Sequence, residues 1–544
     1  MREAGRVMTT RSPFHAGELA AQSRAGTTDS AAAGGAFIRS AMPDQHRAFF
    51  AALPFVVAAG EGADGRFWVS ILEGPAGFLS APDPGHLHIG RALPRADPLA
   101  EGLARGGPVG LLGIDLATRR RNRVNGRLTP TPQGHVLRVE QSFGNCPQYI
   151  HARDWHRVDG PDAPAPRRTD RLDADQAARI AAADTLFIGS GNPAEGGGHD
   201  ASHRGGAAGF VRVTADGALL IPDYPGNSFF NTMGNLLRDP RVGLLVVDFA
   251  TGDLLQISGR ARIDWTPADS HDPAARRMIH VAVDRVVDRP RALSLRWRRA
   301  TAGLRLRVVA KVRETSRVTS FHLLSADGTP PGGFVAGQHL PVLLDVPGAA
   351  APVQRSYSLS GDPAAPVWRI SVKREDRGLA SRILHDRVGV GDIIDALPPQ
   401  GDFGLPPGDG PLVLVSAGVG ITPMLSMLHA VTAAQPGRAV SFVHATRNGR
   451  SHAFGAEVDR LIARGGPVTR RIHYSAPDDR DRPAAFDAAG RVTATDVLSR
   501  IPDRQGDVLL CGPVRFMAAL RPDLEARGLP ADRIPLEAFG PVAG

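Results

Sequence analysis

Lysine is almost missing from this sequence: Lys311 and Lys373 are the only two, and both fall in strand-like stretches. A GxxxxGK[ST] phosphate loop is therefore excluded, and a Schiff-base lysine for a pyridoxal-type cofactor finds no suitable residue. Cysteine is as scarce. Cys146 and Cys511 cannot supply a disulfide framework or the four thiolates of a [2Fe-2S] centre, so any iron–sulfur partner is expected to be a separate chain. No window holds 18 apolar residues, and the opening MREAGRVMTTRSPFHAGELAAQ lacks the apolar core of a secretory leader. The expectation is a cytoplasmic protein with no membrane partner.

Arginine is what replaces lysine. It carries nearly all the positive charge behind the net +9 and the pI near 10.4, and most of it is dispersed. The densest run, Arg285, Arg289, Arg291, Arg296, Arg298, Arg299, Arg305 and Arg307, comes with no zinc-finger or recognition-helix signature, so no nucleic-acid partner is expected. It reads either as a solvated junction between domains or as a docking surface for an acidic electron-transfer protein. A length of 544 residues calls for three or four domains at roughly 150 residues each.

The first half of the chain contains a repeat. Val109 to Arg127, VGLLGIDLATRRRNRVNGR, aligns without a gap on Val242 to Arg260, VGLLVVDFATGDLLQISGR. Upstream, Gly74 to Phe78 matches Gly206 to Phe210, and Leu87 to Ile89 matches Leu219 to Ile221, at nearly the same offset. Short β-rich runs (Val109 to Leu116, Phe210 to Val213, Val242 to Phe249, Leu254 to Ile257) alternate with glycine turns, which predicts two small antiparallel barrels. The Pro/Asp/Arg-rich stretch Asp159 to Arg171 reads as a linker between them.

Four segments, SPFHAGELAAQSRAG, QSFGNCPQYI, ASHRGGAAGFVRV and GNSFFNTMGNLLRDPRVGLLVVDF, resemble the pyridoxamine 5'-phosphate oxidase-like split barrels over about residues 12 to 300. The resemblance implies FMN between paired barrels, hence a pseudo-dimer within one chain or a homodimer formed through the barrel. Ser202, His203, Arg204 and Arg212 are candidates for the FMN phosphate, with Asn227, Asn231, Thr232 and Asn235 adding hydrogen bonds. The same residues fit a turn and capping asparagines equally well. Arg119, Arg120, Arg121 and Arg123 form a second anion-site candidate or a solvated edge strand, and Phe67 and Trp68 read as core.

From Leu304 the texture changes. Six strand-like runs (Leu304–Arg313, Val318–Leu324, Gln338–Val346, Ser356–Leu359, Val367–Val372 and Asp392–Leu397) and one short helix, Ala380 to Val388, predict a small antiparallel barrel. Within it, Arg355-Ser356-Tyr357-Ser358 followed by Gly378-Leu379-Ala380-Ser381 resembles the flavin-binding signature of the ferredoxin-NADP reductase superfamily. The chemistry suits FAD: an arginine fork for pyrophosphate, a tyrosine ring to stack on the flavin, a Ser358 hydroxyl at its reactive edge, and a helix start from Ser381 to donate N–H groups.

Leu412 to Val415, then Gly418-Val419-Gly420-Ile421-Thr422-Pro423 and an amphipathic stretch from Met424 to Ala434, reads as strand, glycine turn and helix. It resembles the GxGxTP dinucleotide turn of the same superfamily. Further alternation, Ala439–Ala445, Ala453–Ala463, Arg471–Ser475, Val508–Cys511 and Val514–Ala526, predicts a doubly wound parallel sheet. Its strand ends place His444 to Asn448 and Cys511-Gly512-Pro513 at the NAD(P)H crevice. Arg447 and Arg450 are candidates for a 2'-phosphate, with the NADH or NADPH preference open. By resemblance Cys511 lies beside the nicotinamide, and the tail Glu537-Ala538-Phe539-Gly540 is similar to the segment covering the flavin in flavohaemoglobin-type reductases. The sequence reaches Gly544 without a ferredoxin domain, which leaves the terminal acceptor open.

The expected fold is multidomain: tandem antiparallel β split barrels over 1–158 and 172–300, an antiparallel β-barrel flavin domain over 304–406, and an α/β NAD(P) domain over 408–544. The expected reaction is hydride transfer from NAD(P)H to FAD, with Ser358, Cys511 and Glu537 as catalytic candidates. Electrons would then pass to FMN or substrate in the split barrel, or to a ferredoxin-like protein. A split-barrel oxidase of a small amine or alcohol, and a non-catalytic haem- or partner-binding N-terminal half, are the alternatives.

Overall fold

The repeat in the sequence is a repeat of sheets. A computed structural model of the chain describes residues 12–35, 37–144, 149–159, 163–193, 197–268, 270–299, 303–346, 352–376, 378–481, 483–501 and 503–538. It divides after Arg299 into two compact units.

In the first unit, β1 (Phe55–Glu61), β2 (Phe67–Glu73), β3 (Leu79–Asp83), β4 (His86–Ile89), β5 (Gly107–Asp115), β6 (Arg120–Thr131) and β7 (Gly134–Gly144) form one antiparallel sheet in the order β2-β1-β5-β6-β7-β4-β3. After β8 (Arg153–Arg157) and β9 (Arg167–Thr169) come β10 (Thr185–Gly191), β11 (His199–Gly205), β12 (Arg212–Val213), β13 (Leu219–Asp223), β14 (Arg241–Asp248), β15 (Asp253–Asp264) and β16 (Arg277–Arg289). Their order, β11-β10-β14-β15-β16-β13-β12, repeats the first strand for strand, and β17 (Leu295–Arg299) pairs with β8. Short helices decorate the sheets: α1 (Ala16–Arg24), α2 (Thr28–Gly35), α3 (Asp44–Ala52), α4 (Ala100–Arg105), α5 (Ala174–Ala182) and α6 (Asn231–Leu236).

The match extends to irregularities. The register of β6 on β7 shifts at Asn125/Gly126, and that of β15 on β16 at Ser258/Gly259, the positions the repeat aligns. A Cβ on Gly126 would lie 2.0 Å from Arg138 O, and one on Gly259 2.2 Å from Ala282 O, so both bulges demand glycine. Each sheet buries its own core, around Val56, Trp68 and Leu111 in one and Ile188, Leu244 and Ile257 in the other. A third cluster, including Val57, Phe67, Leu112, Phe187 and Leu245, lies where the two sheets face each other. Phe67 and Trp68 are core, as read.

Two expectations change. The supposed linker contains a strand, because Arg167–Thr169 pairs with Val286–Asp288 of β16. The arginines at 120–123 lie on β6, which has neighbours on both sides and is no edge.

The second unit begins with β18 (Leu304–Arg313), β19 (Val318–Ser325), β20 (His339–Leu344), β21 (Val353–Ser358), β22 (Trp368–Lys373) and β23 (Ile393–Ala396). They run antiparallel in the order β21-β20-β23-β18-β19-β22, and a Leu359–Ile370 bridge joins the two ends. Helix α7 (Leu379–Asp386) follows β22. Next come β24 (Leu412–Ala417), α8 (Ile421–Ala434), β25 (Val440–Thr446), α9 (Gly455–Ile462), β26 (Val468–Tyr474), β27 (Ala488–Ala489), α10 (Ala494–Leu498), β28 (Asp507–Gly512), α11 (Val514–Ala526) and β29 (Leu536–Ala538). These strands form an all-parallel sheet, β27-β26-β25-β24-β28-β29. The two-residue β27, the five-residue α10 and the three-residue β29 were not legible, being too short for a period to show. No described helix is long and apolar enough to cross a membrane.

Candidate active site

Strand β21 is the terminal strand in the order of the barrel sheet, and its residues alternate between faces. Arg355 and half-buried Tyr357 share one face, with Arg355 Nη1 on Gln354 O at 2.8 Å. Burial pushes the Tyr357 phenol up to about 12, so the ring is neutral. Ser356 and Ser358 take the other face. Ser358 is buried, and its Oγ has no hydrogen-bond partner. An unsatisfied buried hydroxyl costs about 1–3 kcal/mol, so a polar partner at this position would be stabilising.

Helix α7 starts at Gly378 without a side-chain cap. The Ser381 hydroxyl is spent on the preceding turn, accepting from Glu375 N at 3.2 Å and donating to Gly378 O at 3.3 Å. A Cβ on Gly378 would meet that hydroxyl at 2.5 Å. The first N–H groups, from Leu379 to Ser381, have no carbonyl inside the helix, which suits them to a phosphate oxygen.

The turn from Gly418 to Pro423 has the backbone shape its glycines predict. Gly418 has φ +56° and open space where a side chain would be, while Gly420 packs its α-carbon against the end of β28. Thr422 Oγ1 donates to Val419 O at 2.9 Å, closing the turn before Pro423. Cys511 departs from expectation: fully buried in the α/β core, its thiol is pushed well above the usual range by burial and then by Glu537. It is a neutral packing group, and its backbone and that of Gly512 lie nearest the Gly420 turn. Pro513 precedes α11 as its cap.

Glu537 lies on β29 beside Cys511 in the parallel register. Burial, then the Asp402 carboxylate, holds its acid up at about 8, although about a fifth of the side chain (22%) remains exposed, and its Oε2 has no partner. His339 Nδ1 is 3.9 Å from Glu537 Oε1, and His339 pairs across β20 and β21 with Ser358. The barrel hydroxyl, the imidazole, the carboxyl and the end of the parallel sheet thus form one run of neighbours. His339 was missed by sequence reading because only strand register reveals it. Phe539 lies outside the described residues, as does Cys146.

The FMN-phosphate candidates of the first unit do not converge. Ser202 and Arg204 stand on one face of β11 and His203 on the other. The Ser202 hydroxyl is engaged by Arg123, Asp200 and Thr232. Arg204 pairs with Asp223 at 2.5 Å, and Asp223 also takes Arg277 at 2.9 Å. His203 is buried, and burial first, Arg121 second, lower its ring far below the usual range. Asn227 caps its own turn through Phe229 N at 3.2 Å, and Arg212 is exposed. Arg119 donates to Ile150 O and Arg121 to His203 O.

What occupies this place is a buried lock between the sheets. Arg123 donates to Ala201 O at 3.0 Å, to Asn231 Oδ1 at 2.8 Å and to Ser202, with Asp200 at 3.4 Å. Asn231 Nδ2 donates to Glu18 of α1 at 2.5 Å, and Asn235 Oδ1 meets His15 Nε2 at 2.9 Å. A phosphate dianion here would face the buried Asp200 carboxylate and the Glu18 carboxyl, and the arginines described at this centre, Arg121, Arg123 and Arg204, already have partners. The described residues of this centre do not fit an FMN phosphate.

Burial raises the Glu18 acid to about 7, above its ordinary 4.5. The folded state therefore holds an extra proton between those values, and stability falls as pH rises from about 4.5 to about 7. Glu18→Gln is expected to flatten that decline in urea midpoints measured at pH 5 and pH 8; an unchanged slope would show that Glu18 does not carry it.

A family model for the oxidoreductase NAD-binding domain matches residues 414–521. The flavohemoprotein of Burkholderia sp. (strain TH2) is 42% identical over 249 residues, 45% of this chain and 61% of that protein. The flavohemoprotein of Bordetella pertussis is 41% identical over 241 residues, 43% of this chain and 60% of that one. The chain thus spans about three fifths of the length of these relatives. Among solved structures, the flavohem-like FAD/NAD binding domain of nitric oxide dioxygenase from Vibrio cholerae is 34% identical, covering 44% of this chain and 99% of that one at a TM-score of 0.40.

Proposed function

We propose that the second unit draws reducing equivalents from NAD(P)H onto FAD and that the first unit, a fused pair of pyridoxamine 5'-phosphate oxidase-like split barrels, serves as a binding module for the acceptor. The chain is an NAD(P)H-dependent flavin oxidoreductase with FAD and NAD(P)H as its cofactors. The observation that carries the assignment is the unpartnered buried Ser358 hydroxyl on an RxYS strand, linked through His339 and Glu537 to the strand end that holds the glycine turn. When bound, the nicotinamide and flavin rings supply the two-electron chemistry, and the protein supplies position and field.

Arg355 and the α7 N-terminus bind pyrophosphate, and Tyr357 offers a neutral ring face. The Ser358 Oγ donates to the flavin edge, and Glu537 holds a proton at its carboxyl below pH 8. Gly418 and Gly420 let the second pyrophosphate approach the start of α8.

Split-barrel character is supported by the identical strand orders and by contacts that match across the two sheets. Gly110 packs on Asp200 of β11, and its partner in the repeat, Gly243, packs on Trp68 of β2. Arg123 donates to Ala201 O, and its counterpart Gln256 donates to Val69 O at 3.0 Å. Ser202 bonds the Asp200 carboxylate and Ser70 bonds that of Asp97. These contacts pair the two sheets within one chain, so no second chain is needed to complete the arrangement. The lock in place of an FMN phosphate favours a binding module over an internal flavin relay, with a separate ferredoxin-like protein as the remaining acceptor. Flavin released from purified protein is expected to be one FAD per chain with no FMN; stoichiometric FMN would overturn the binding-module reading.

A further inference from the structure

Strand β25 lies directly beside β24, so the loop after it, Arg447 to Ser451, borders the Gly418 turn at the carboxyl end of the sheet. In doubly wound sheets this strand end meets the adenosine ribose, where a carboxylate accepts from ribose hydroxyls or an arginine accommodates a 2'-phosphate. The sequence offers both arginine and carboxylate here. The structure shows how they are committed.

Arg450 Nη2 pairs with Asp478 Oδ2 at 2.5 Å. Asp478 is itself anchored: its Oδ1 accepts from Arg480 N at 3.0 Å, and its own backbone N donates to Asp481 Oδ2 at 2.8 Å. Asp481 Oδ1 accepts from Gly449 N at 2.9 Å, and a Cβ on Gly449 would come within 2.6 Å of that oxygen. Two aspartates from the loop after β26 therefore clamp the loop after β25, reinforced by Ser475 N on Thr446 O and Ala476 N on Arg447 O, both at 2.9 Å. Arg447 and Arg450 are both exposed, so water screens what either can contribute, and Asp478, 27% exposed, is the more sheltered charge of the Arg450–Asp478 pair.

We propose that this site selects NADH over NADPH, with Asp478 as the specificity-determining residue; the inference rests on the reading of the second unit as the NAD(P)H site. A 2'-phosphate brought to this loop meets fixed carboxylates and an arginine already paired, while the two ribose hydroxyls of NADH meet acceptors. Like charge at such a partly solvated end is worth about tenfold or more in discrimination.

The test uses the FAD-loaded full chain. Steady-state kcat/KM is measured with NADH and NADPH, and calorimetry follows ADP-ribose and 2'-phospho-ADP-ribose, which report the adenosine end without any turnover. The expected result is at least about tenfold preference for NADH and for ADP-ribose, with Asp478→Asn raising NADPH kcat/KM and 2'-phospho-ADP-ribose affinity about tenfold. Adding Arg450→Ala to that variant should remove the gain, because the freed guanidinium supplies it. Equal or better use of NADPH by the unaltered protein would overturn the inference and leave the reductase reading intact. Failure of both nucleotides to reduce the bound FAD would overturn that reading and the inference together.

Discussion

Gly420→Ala is expected to slow NAD(P)H-dependent reduction of the bound FAD by about 100-fold or more while the protein keeps its FAD. The added Cβ would sit 2.3 Å from Cys511 O, 2.6 Å from Cys511 C and 2.8 Å from Gly512 Cα. All three are backbone atoms of β28 and its exit, so no rotamer change relieves the clash; the turn must move away by roughly an ångström, and displacement on that scale costs on the order of 10² in rate. The glycine two positions earlier supplies the control. Gly418 has nothing within 4 Å, so Gly418→Ala meets only the left-handed φ of +56°. That costs about 1–2 kcal/mol locally, and its effect should be several-fold. Stopped-flow bleaching of FAD absorbance under anaerobic conditions separates the two. Wild-type rates in Gly420→Ala would show that the turn does not carry the dinucleotide.

Arg123→Ala is expected to destabilise the first unit by about 3–5 kcal/mol. Arg123 is buried between the sheets, and removing it strands the Asp200 carboxylate and Asn231 without their cation. Its counterpart makes the contrast. Gln256→Ala removes a neutral amide from Val69 O and from Asp97, which keeps Arg289, Ser70 and the Leu99 N–H as donors. A loss of about 1 kcal/mol is expected there. Urea unfolding followed by tryptophan fluorescence reads the first unit well, because Trp68, Trp155, Trp265 and Trp297 belong to it and Trp368 alone to the second. Equal losses for both variants would mean that the charge on Arg123 carries no special weight.

The second unit was largely legible before its structure. Its strands carry long enough apolar runs, and its turns carry glycines whose purpose is local, so RSYS, GLAS and GVGITP each announce a backbone shape. What failed there depended on distance in the sequence. His339 is opposite Ser358 only through register, and although the tail motif singled out Glu537, its raised acid comes from burial and Asp402, which no motif encodes. Cys511 was misread because a cysteine at a strand end signals a ligand site and a core position equally.

In the first unit the repeat was visible in the sequence, and the two sheets share one strand order. The SHRGG arginine was misleading because a cation in sequence has no visible counter-charge; Asp223 lies some twenty residues away, and it takes β13 and β16 to bring it, with Arg277, to Arg204. The repeat alignment did hold an unused signal. Arg119 matches Gly252, and both adopt positive φ, 56° and 73°, so a glycine in one copy foretold a left-handed turn in the other.

Anaerobic titration of the FAD-containing full chain with NADH asks directly whether the second unit passes reducing equivalents to its flavin. The predicted result is complete bleaching of the flavin band by one equivalent of NADH per FAD, with Arg355→Ala purifying largely free of FAD. An FAD that stays oxidised in excess NADH and excess NADPH would show that the second unit is not an NAD(P)H-dependent flavin reductase.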